Sequence, residues 1–478
     1  MAETTCDMAE TTNDNNSKKI ALFSVLAATA LMFAFFFMPP FEGLTPVGMK
    51  FLGIFIWWIV MMIAQLLPTY LSCIAGLLVS IIVGVSKVSF AFGAFSANIS
   101  WLLIGAFGLS AALQTSGILK RLALVVMKLF PGTYAGQLWG ISIASVLVAP
   151  TIPSTAAKST FLLPIVGMIS DQLGYKPHSK GATGLMCCAA MVTTFVGLTF
   201  MTGGILVVTM LAMSKETFTW MSWLQFAIVW GVAIFFLIVL FHQFYFNPNK
   251  GVNKKDIQTL DKSEIQARLD EMGKMGLKEY IALFAMVGTV GLWMTESIHH
   301  IPTSVVAVSA WVVLCAAGLF TVDDFNTRIL WVPWAFTCAL LGMLDILDAT
   351  GVNVWISQLA VPVVNLLAGN AIFIIFGCAI LACILQFGMV NYMVTGLLCA
   401  TLLAGSGVTS IAILFACFTG GMVFVLSFQQ DFWIVAMSLT GGRVVHEDIM
   451  PAAWAYIAIN LIALAVTIPY WYLTGYIS

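Results

Sequence analysis

Hydroxyl side chains and one lysine gather around prolines in the apolar stretch VLVAPTIPSTAAKSTFLLPI, at positions 146–165. The hydroxyls belong to Thr151, Ser154, Thr155, Ser159 and Thr160, and the lysine is Lys158. Hydroxyls can donate hydrogen bonds to an anion or coordinate a small cation, and a broken helix adds free N–H and C=O groups. The segment is therefore a candidate anion-binding site. The alternative interpretation is a proline kink whose freed backbone groups are hydrogen-bonded by Ser and Thr side chains.

Composition explains the apolar surroundings of this stretch. Apolar residues make up 61% of the 478-residue chain and charged residues 9%, whereas a soluble domain carries about 25% charged residues. The excess apolar surface must face lipid. The net charge of −1 argues against a nucleic-acid partner. The cysteines form no C-x-x-C pair, and no P-loop, H-E-x-x-H or G-x-S-x-G motif occurs, so neither a zinc site nor an enzyme is indicated.

Transmembrane helices must position the candidate site. A spanning helix needs about 20 apolar residues, and eleven such runs occur, at 20–38, 47–67, 69–85, 99–117, 181–212, 222–246, 279–297, 302–320, 332–349, 408–430 and 451–474. Two further regions, about 134–170 and 361–405, are too broken or too long for one span, and we predict that each is a re-entrant hairpin. The predicted fold is an all-α polytopic membrane protein of about eleven transmembrane helices plus two hairpins.

The longest polar stretch, at 247–278, carries seven Lys or Arg residues, so the positive-inside rule places it in the cytoplasm. Counting spans from this linker puts the N-terminus inside and the C-terminus outside the cell inner membrane. Residues 1–19 then form a cytoplasmic disordered tail, and 20–46 the first transmembrane helix and its loop. The number of spans agrees with these assigned sides only if the first hairpin enters the membrane from the cytoplasm and leaves on the same side, and the second does so from outside.

A weak internal repeat relates the two halves. GLSAALQTSGI at 108–118 resembles GMLDILDATGV at 342–352, an offset of 351 − 117 = 234. The same offset carries Ser154 onto Gly388, and the polar break TTFVGLTFMTGG at 193–204 onto SFQQDFWIVAMS at 427–438. We predict a duplicated unit, 47–246 and 279–478. Because the two hairpins enter from opposite sides, the repeats are inverted, as in many secondary transporters whose binding sites lie at broken helices near the midplane.

The chain resembles the divalent anion/sodium symporter family over nearly its whole length, and most of all its bacterial di- and tricarboxylate carrier branch. The similar segments are PPFEGLTPVGMKFLGIFIWWIV (39–60), APTIPSTAAKSTFLLPI (149–165) and WYLTGYIS (471–478). The resemblance implies eleven spans, two opposed hairpins and a homodimer. It also implies transport of anions, commonly dicarboxylates, by sodium symport or by exchange.

The hairpin tips depart from the family's Ser-Asn-Thr pattern. Ser154 matches its Ser, but Thr155 and Ala156 replace its Asn and Thr, and the second tip, FGMVNYMVTG at 387–396, has Asn391 as its main polar group. The family's sodium sites are built partly from the tip Asn and neighbouring carbonyls. Sodium near Ser154, a coupling proton, symport and exchange therefore all stay open.

Charges inside a membrane cost about 2.5–3.5 kcal/mol each on insertion scales, so each asks for a partner or a function. Lys158 could hold a substrate carboxylate, or it could pair with an acid across the bundle. Asp431 could carry a proton or neutralise Lys158. Asp345 and Asp348 share one helix face, and we expect Asp348 at the outer surface and Asp345 one turn deeper.

Together these features predict a secondary active transporter that moves a small organic anion by alternating access, with a dicarboxylate as the first choice. A sulfonate, sulfate or monocarboxylate transporter and an anion channel remain the alternatives. No cofactor is expected besides sodium or a proton as coupling ion. The predicted substrate-binding residues are Ser154, Thr155, Lys158, Asn391, Thr199 and Thr395, and those predicted for a coupling ion or proton are Asp431, Thr202, Gly203 and Ser427.

Overall fold

The computed structural model describes residues 22–64, 66–251, 257–367, 370–388, 391–427 and 429–477. Within helices, the side chains at positions 360, 363, 364, 366, 367 and 431 are outside this description. The predicted tail at 1–19 and the first two residues of the predicted span at 20–38 also lie outside the described residues.

Two runs of helices follow each other in the same order. Helix α1 (Leu22–Phe37) precedes the first run, which comprises α2 (Pro46–Ala64), α3 (Thr69–Ile82), α4 (Val88–Ala91), α5 (Asn98–Ser116), α6 (Ile118–Leu129), α7 (Tyr134–Val148), α8 (Thr155–Gln172), α9 (Lys180–Phe195), α10 (Ile205–Ser214) and α11 (Trp220–Tyr245). The second run follows a linker helix, α12 (Lys262–Glu271), and comprises α13 (Leu277–Met294), α14 (Glu296–His299), α15 (Thr303–Ala316), α16 (Val322–Thr327), α17 (Trp331–Ala349), α18 (Val352–Leu367), α19 (Ala371–Phe387), α20 (Tyr392–Leu402), α21 (Ser410–Gly421), α22 (Asp431–Ser438) and α23 (His446–Thr474). Apart from the one-turn α14, each helix of the second run has a counterpart in the first.

Helix length and apolarity fit a membrane protein. Seven helices in the described part of the chain are long and apolar enough to cross a bilayer, and they are α2, α5, α9 with its 3₁₀ extension, α11, α13, α17 and α23. The remaining predicted spans fall on the shorter apolar helices α1, α3, α15 and α21. The prediction of an all-α polytopic fold is confirmed.

The two repeats pack reciprocally. Helix α5 packs against α15, and α17 packs against α3. Because α15 is the counterpart of α3 and α17 the counterpart of α5, these two contacts are the same contact with the repeats exchanged. A two-fold relation between the repeats produces this reciprocity, and it interlocks them around a shared centre.

Two helical hairpins lie where the apolar pattern was interrupted. The predicted hairpin at 134–170 corresponds to α7 and α8. The second hairpin, predicted at 361–405, consists of α19 and α20 and begins at Ala371, because residues 361–367 still belong to α18. That boundary was predicted too early because apolar residues continue from α18 into α19, so composition does not mark the end of α18.

The constant offset of 234 between the repeats is also corrected. Ser154 is the N-cap of α8 and Asn391 the N-cap of α20, so the tips align at 391 − 154 = 237. Helices α10 and α22 follow the breaks and begin at Ile205 and Asp431, an offset of 431 − 205 = 226. Helices and loops differ in length between the repeats, so no single offset relates them, and Asn391, not Gly388, is the counterpart of Ser154.

Candidate anion-binding site

A cavity of about 870 Å³ lies where the breaks of both repeats meet. One side is formed by the hairpin tips and the broken helices. The α2–α3 loop around Pro68 and the start of α17 around Pro333 line the cavity as well. No lining residue in the described part of the chain carries a charge, so an ion bound here would have to be held by dipoles and hydrogen bonds.

Six helices begin at this cavity: α3 and α17, and the four that follow the hairpin tips and the breaks. Each of α8, α10, α20 and α22 places its N-cap residue and at least one residue of its first turn on the wall. The N-cap residues are Ser154, Gly204, Asn391 and Gln430. The first N–H groups of a helix have no partner within it, and the helix dipole places a partial positive charge there. Six such ends around a cavity whose described wall is uncharged form an environment suited to an anion.

The two hairpin tips are built alike. The Ser154 hydroxyl accepts a hydrogen bond from the Ala157 N–H at 3.2 Å, and the Asn391 side-chain oxygen accepts one from the Met393 N–H at 2.8 Å. Ser and Asn are preferred N-caps because each satisfies a backbone donor that the helix leaves unpaired. Ser154, Thr155 and Asn391 line the cavity, so the structure brings together the tip residues that the sequence singled out.

Lys158 lies behind the cavity wall. Its side chain is 1% exposed, and its ammonium donates hydrogen bonds to the carbonyl oxygens of Gly203 at 2.6 Å and Thr193 at 3.4 Å. The backbone of the break packs tightly against the Lys158 ammonium, since a Cβ added to Gly197 would lie 2.8 Å from the ammonium nitrogen. The predicted contact between Lys158 and a substrate carboxylate is therefore absent from this conformation, because two backbone carbonyls already hold the ammonium.

Two threonines of the first break also face away from the cavity. The Thr202 hydroxyl donates to the Pro150 carbonyl oxygen at 2.6 Å and accepts from the Trp220 indole N–H at 3.1 Å, so it ties the hairpin tip to α11. Thr199 packs against Gly231, where an added Cβ would lie 2.1 Å from its hydroxyl oxygen. That hydroxyl is buried without a hydrogen-bond partner.

The predicted residues of the second repeat are spread around its break. The Thr395 hydroxyl is buried and donates to the Asn391 carbonyl oxygen at 3.4 Å. Ser427 is exposed. Asp431 begins α22, and its side chain lies outside the described residues. Of the nine predicted site residues whose side chains the structure describes, the cavity wall thus carries the three at the tips.

Three glutamines that the sequence reasoning did not assign lie on the wall: Gln386, Gln429 and Gln430. The Gln386 amide donates to the Gln429 carbonyl oxygen at 3.2 Å. The Gln429 side-chain oxygen accepts from the Leu426 N–H at 2.8 Å, whereas its amide nitrogen is buried without a partner. A buried amide that leaves a donor unsatisfied at a cavity is a candidate ligand contact. Glutamines inside apolar runs are rare enough to have signalled this.

The acidic pair on α17 has a partner. The Lys215 ammonium lies 3.1 Å from an Asp345 carboxylate oxygen and also contacts Asp348. All three side chains are more than a third exposed. Asp345 is therefore part of an ion-pair cluster at the end of α17, and it is not among the described residues that line the cavity.

Comparison with known proteins agrees with this architecture. A family model described as the sodium:sulfate symporter transmembrane region matches residues 19–472. Inner membrane protein YbhI of Escherichia coli is 26% identical over 432 residues, which cover 85% of this chain and 88% of the relative. Dicarboxylate transporter 1, chloroplastic, of Arabidopsis thaliana is 27% identical over 355 residues, 72% of this chain.

The match covers only 63% of that chloroplastic transporter, less than two thirds of its length. Among solved structures, the Alcanivorax borkumensis YdaH transporter has a similar fold, with a TM-score of 0.57 at 13% identity over 81% of this chain and 88% of that one. The family model accounts for nearly the whole chain, including both hairpins and both breaks. The chain is a multi-pass membrane protein that belongs to the sodium:sulfate symporter family of anion transporters.

Proposed function

We propose that this protein carries a small dicarboxylate across the membrane by alternating access. The observation that carries the proposal is the meeting of six helix N-termini, three from each repeat, at one cavity whose described wall is uncharged. The cavity volume of about 870 Å³ lies within the range of about 300–1,000 Å³ that small-molecule sites occupy.

A dicarboxylate matches the symmetry of this site. Each repeat supplies one hairpin tip and one broken helix, so each can receive one carboxylate of a two-headed anion. The chloroplastic relatives are named dicarboxylate transporters, which supports the same substrate class. Sulfate is the second candidate, because the matching family model is described by sodium and sulfate and a helix N-terminus binds sulfate as readily as a carboxylate.

Counterflow in proteoliposomes tests the proposal. Vesicles loaded with unlabelled succinate or malate should accelerate the uptake of labelled succinate, and a tenfold excess of external sulfate should leave that uptake unchanged. Acceleration by loaded sulfate alone would favour the second candidate. Uptake that does not depend on the anion loaded inside would contradict a carrier and indicate a channel.

The orientation and assembly predicted from the sequence belong to the same proposal. If the linker at 247–278 is cytoplasmic, the loops around Pro68 and Pro333 are cytoplasmic too, and the cavity beside them faces inward. A homodimer in the inner membrane, which the family resemblance implies, stays a prediction. Cross-linking of the protein in native membranes would test it.

A further inference from the structure

The family description names sodium, which raises the question of whether the two breaks can hold it. In transporters with broken helices, coupling cations are bound by unwound backbone carbonyls and by the C-terminal ends of half-helices. Carbonyl oxygens that face inward at such a break need either an ion or a hydrogen-bond donor, because unpaired polar backbone is costly at membrane depth. The partners of these carbonyls therefore show whether an ion is needed.

In the first break three of these carbonyls already accept hydrogen bonds from side-chain donors. The Lys158 ammonium binds the carbonyl oxygens of Thr193, in the last turn of α9, and of Gly203, in the unwound segment. The Leu198 carbonyl oxygen accepts from the Trp223 indole N–H at 3.1 Å. The ammonium thus bridges a half-helix end and unwound backbone, which is the position that a coupling cation takes.

In the second break, neutral side-chain donors bind the backbone carbonyls in the same way. The Gln430 amide donates to the carbonyl oxygens of Gly421 at 3.1 Å and Val423 at 3.2 Å. The Tyr456 hydroxyl donates to the Thr419 carbonyl oxygen at 2.7 Å. Here too a half-helix end and unwound backbone share one side-chain donor. At both breaks, the carbonyls that join a half-helix end to unwound backbone are therefore not free to bind a sodium ion.

We propose that Lys158 and Gln430 stand in for coupling sodium, so that this member of the family exchanges its substrates without sodium. The inference rests on the proposed function above and adds that substrate transport is not coupled to sodium. Lysine suits the role because its compact ammonium carries one positive charge and three donors. A tethered cation cannot be released on the far side of the membrane. A sodium gradient therefore cannot drive transport through this site, and flux follows the gradients of the anions.

The first test uses the unchanged protein. Succinate homoexchange should proceed in choline buffer at a rate within about twofold of that in sodium buffer, and ²²Na should not enter with the anion. A requirement for sodium, or succinate-dependent ²²Na uptake, would overturn the proposal. If succinate is not a substrate, the same comparison with sulfate still decides the question, which separates this inference from the choice of substrate.

The second test removes the ammonium and needs no transport. Binding of an ion to the folded state raises its melting temperature. Lys158→Ala should gain a sodium-specific rise in melting temperature, measured in sodium against choline chloride, and wild type and Lys176→Ala, which removes an exposed lysine, should show none. A sodium-specific rise in wild type contradicts the proposal. So does a stable Lys158→Ala protein that keeps wild-type sodium-free exchange.

A third test separates this role from pairing with Asp431. The double change Lys158→Met with Asp431→Asn removes both charges. If Lys158 replaces sodium, the double variant should lose at least about tenfold in sodium-free exchange, as expected when a charged hydrogen-bond donor is lost. Full exchange activity of the double variant would show that the lysine only neutralises the aspartate, and the proposal would be wrong.

Discussion

The ammonium nitrogen of Lys158 lies 2.6 Å from the carbonyl oxygen of Gly203, so a hairpin arm is joined to the break of another helix. This contact needs close backbone approach. A Cβ on Gly203 would lie 2.3 Å from the Gly197 carbonyl oxygen and 3.0 Å from that of Ala149.

Gly203→Ala should therefore destabilise the protein by about 1–3 kcal/mol, the usual cost of overpacking, and should reduce transport. Thermal unfolding in detergent and succinate exchange would measure both effects. Gly288→Ala is the matched control, because an added Cβ there meets no atom within 4 Å. Equal melting temperatures for the two variants would show that the break accommodates a Cβ at position 203 and would contradict the close backbone approach.

The hairpin tips should be needed for transport. Ser154→Ala or Asn391→Ala removes a cap worth about 1 kcal/mol and a polar group at the cavity, and we expect at least about a tenfold loss in uptake. Ser179→Ala is the control, since Ser179 caps α9 through the Ala182 N–H at 3.3 Å and does not line the cavity. Equal losses in all three variants would mean that the tips act only as caps.

The unpartnered amide of Gln429 should contact the substrate. Gln429→Leu removes this donor together with the oxygen that accepts from the Leu426 N–H, and we expect KM to rise about tenfold, because a hydrogen bond to a charged group is worth about 1.5–3 kcal/mol. Gln358→Leu, at an exposed position, should leave KM unchanged. A Gln429→Leu variant with the KM of wild type would exclude a substrate contact.

The ion-pair cluster on α17 should be dispensable for transport. Asp345→Asn should change the free energy of unfolding by less than about 1 kcal/mol, because exposed salt bridges contribute about 0.2–1 kcal/mol, and should leave exchange rates intact. Kinetics at several succinate concentrations would check this. A loss of exchange in a well-folded Asp345→Asn protein would show that this carboxylate takes part in transport.

Membrane orientation can be tested by labelling single cysteines. The linker at 247–278 should be reached from the cytoplasm, and Ser478 from the opposite side. Positions Lys274 and Ser478, each changed to Cys and treated with an impermeant maleimide in right-side-out and inverted vesicles, would show this. The native cysteines that the structure describes are buried or half-buried, so the maleimide should label them only weakly. Labelling of both positions from one side would exclude the predicted topology.

The polar breaks and the capping residues could be found in the sequence because both depend on local chemistry. Proline, glycine and hydroxyl residues interrupt an apolar helix wherever it lies, and Ser154 and Asn391 precede helices as N-caps do. The end of α18 was missed, because the apolar pattern does not change there. The repeat offset failed at the tips and breaks because small differences in helix and loop length accumulate along the chain.

The sequence by itself determined that this is an all-α membrane protein with two hairpins and two further polar breaks, because the length and interruption of apolar runs are properties of the chain alone. Tertiary structure decided which polar groups face the cavity. Lys158 is joined to Gly203, 45 residues away, and Thr199 turns toward Gly231. Such choices depend on how each helix is rotated and on which carbonyls its neighbours present, and neither is encoded in local sequence.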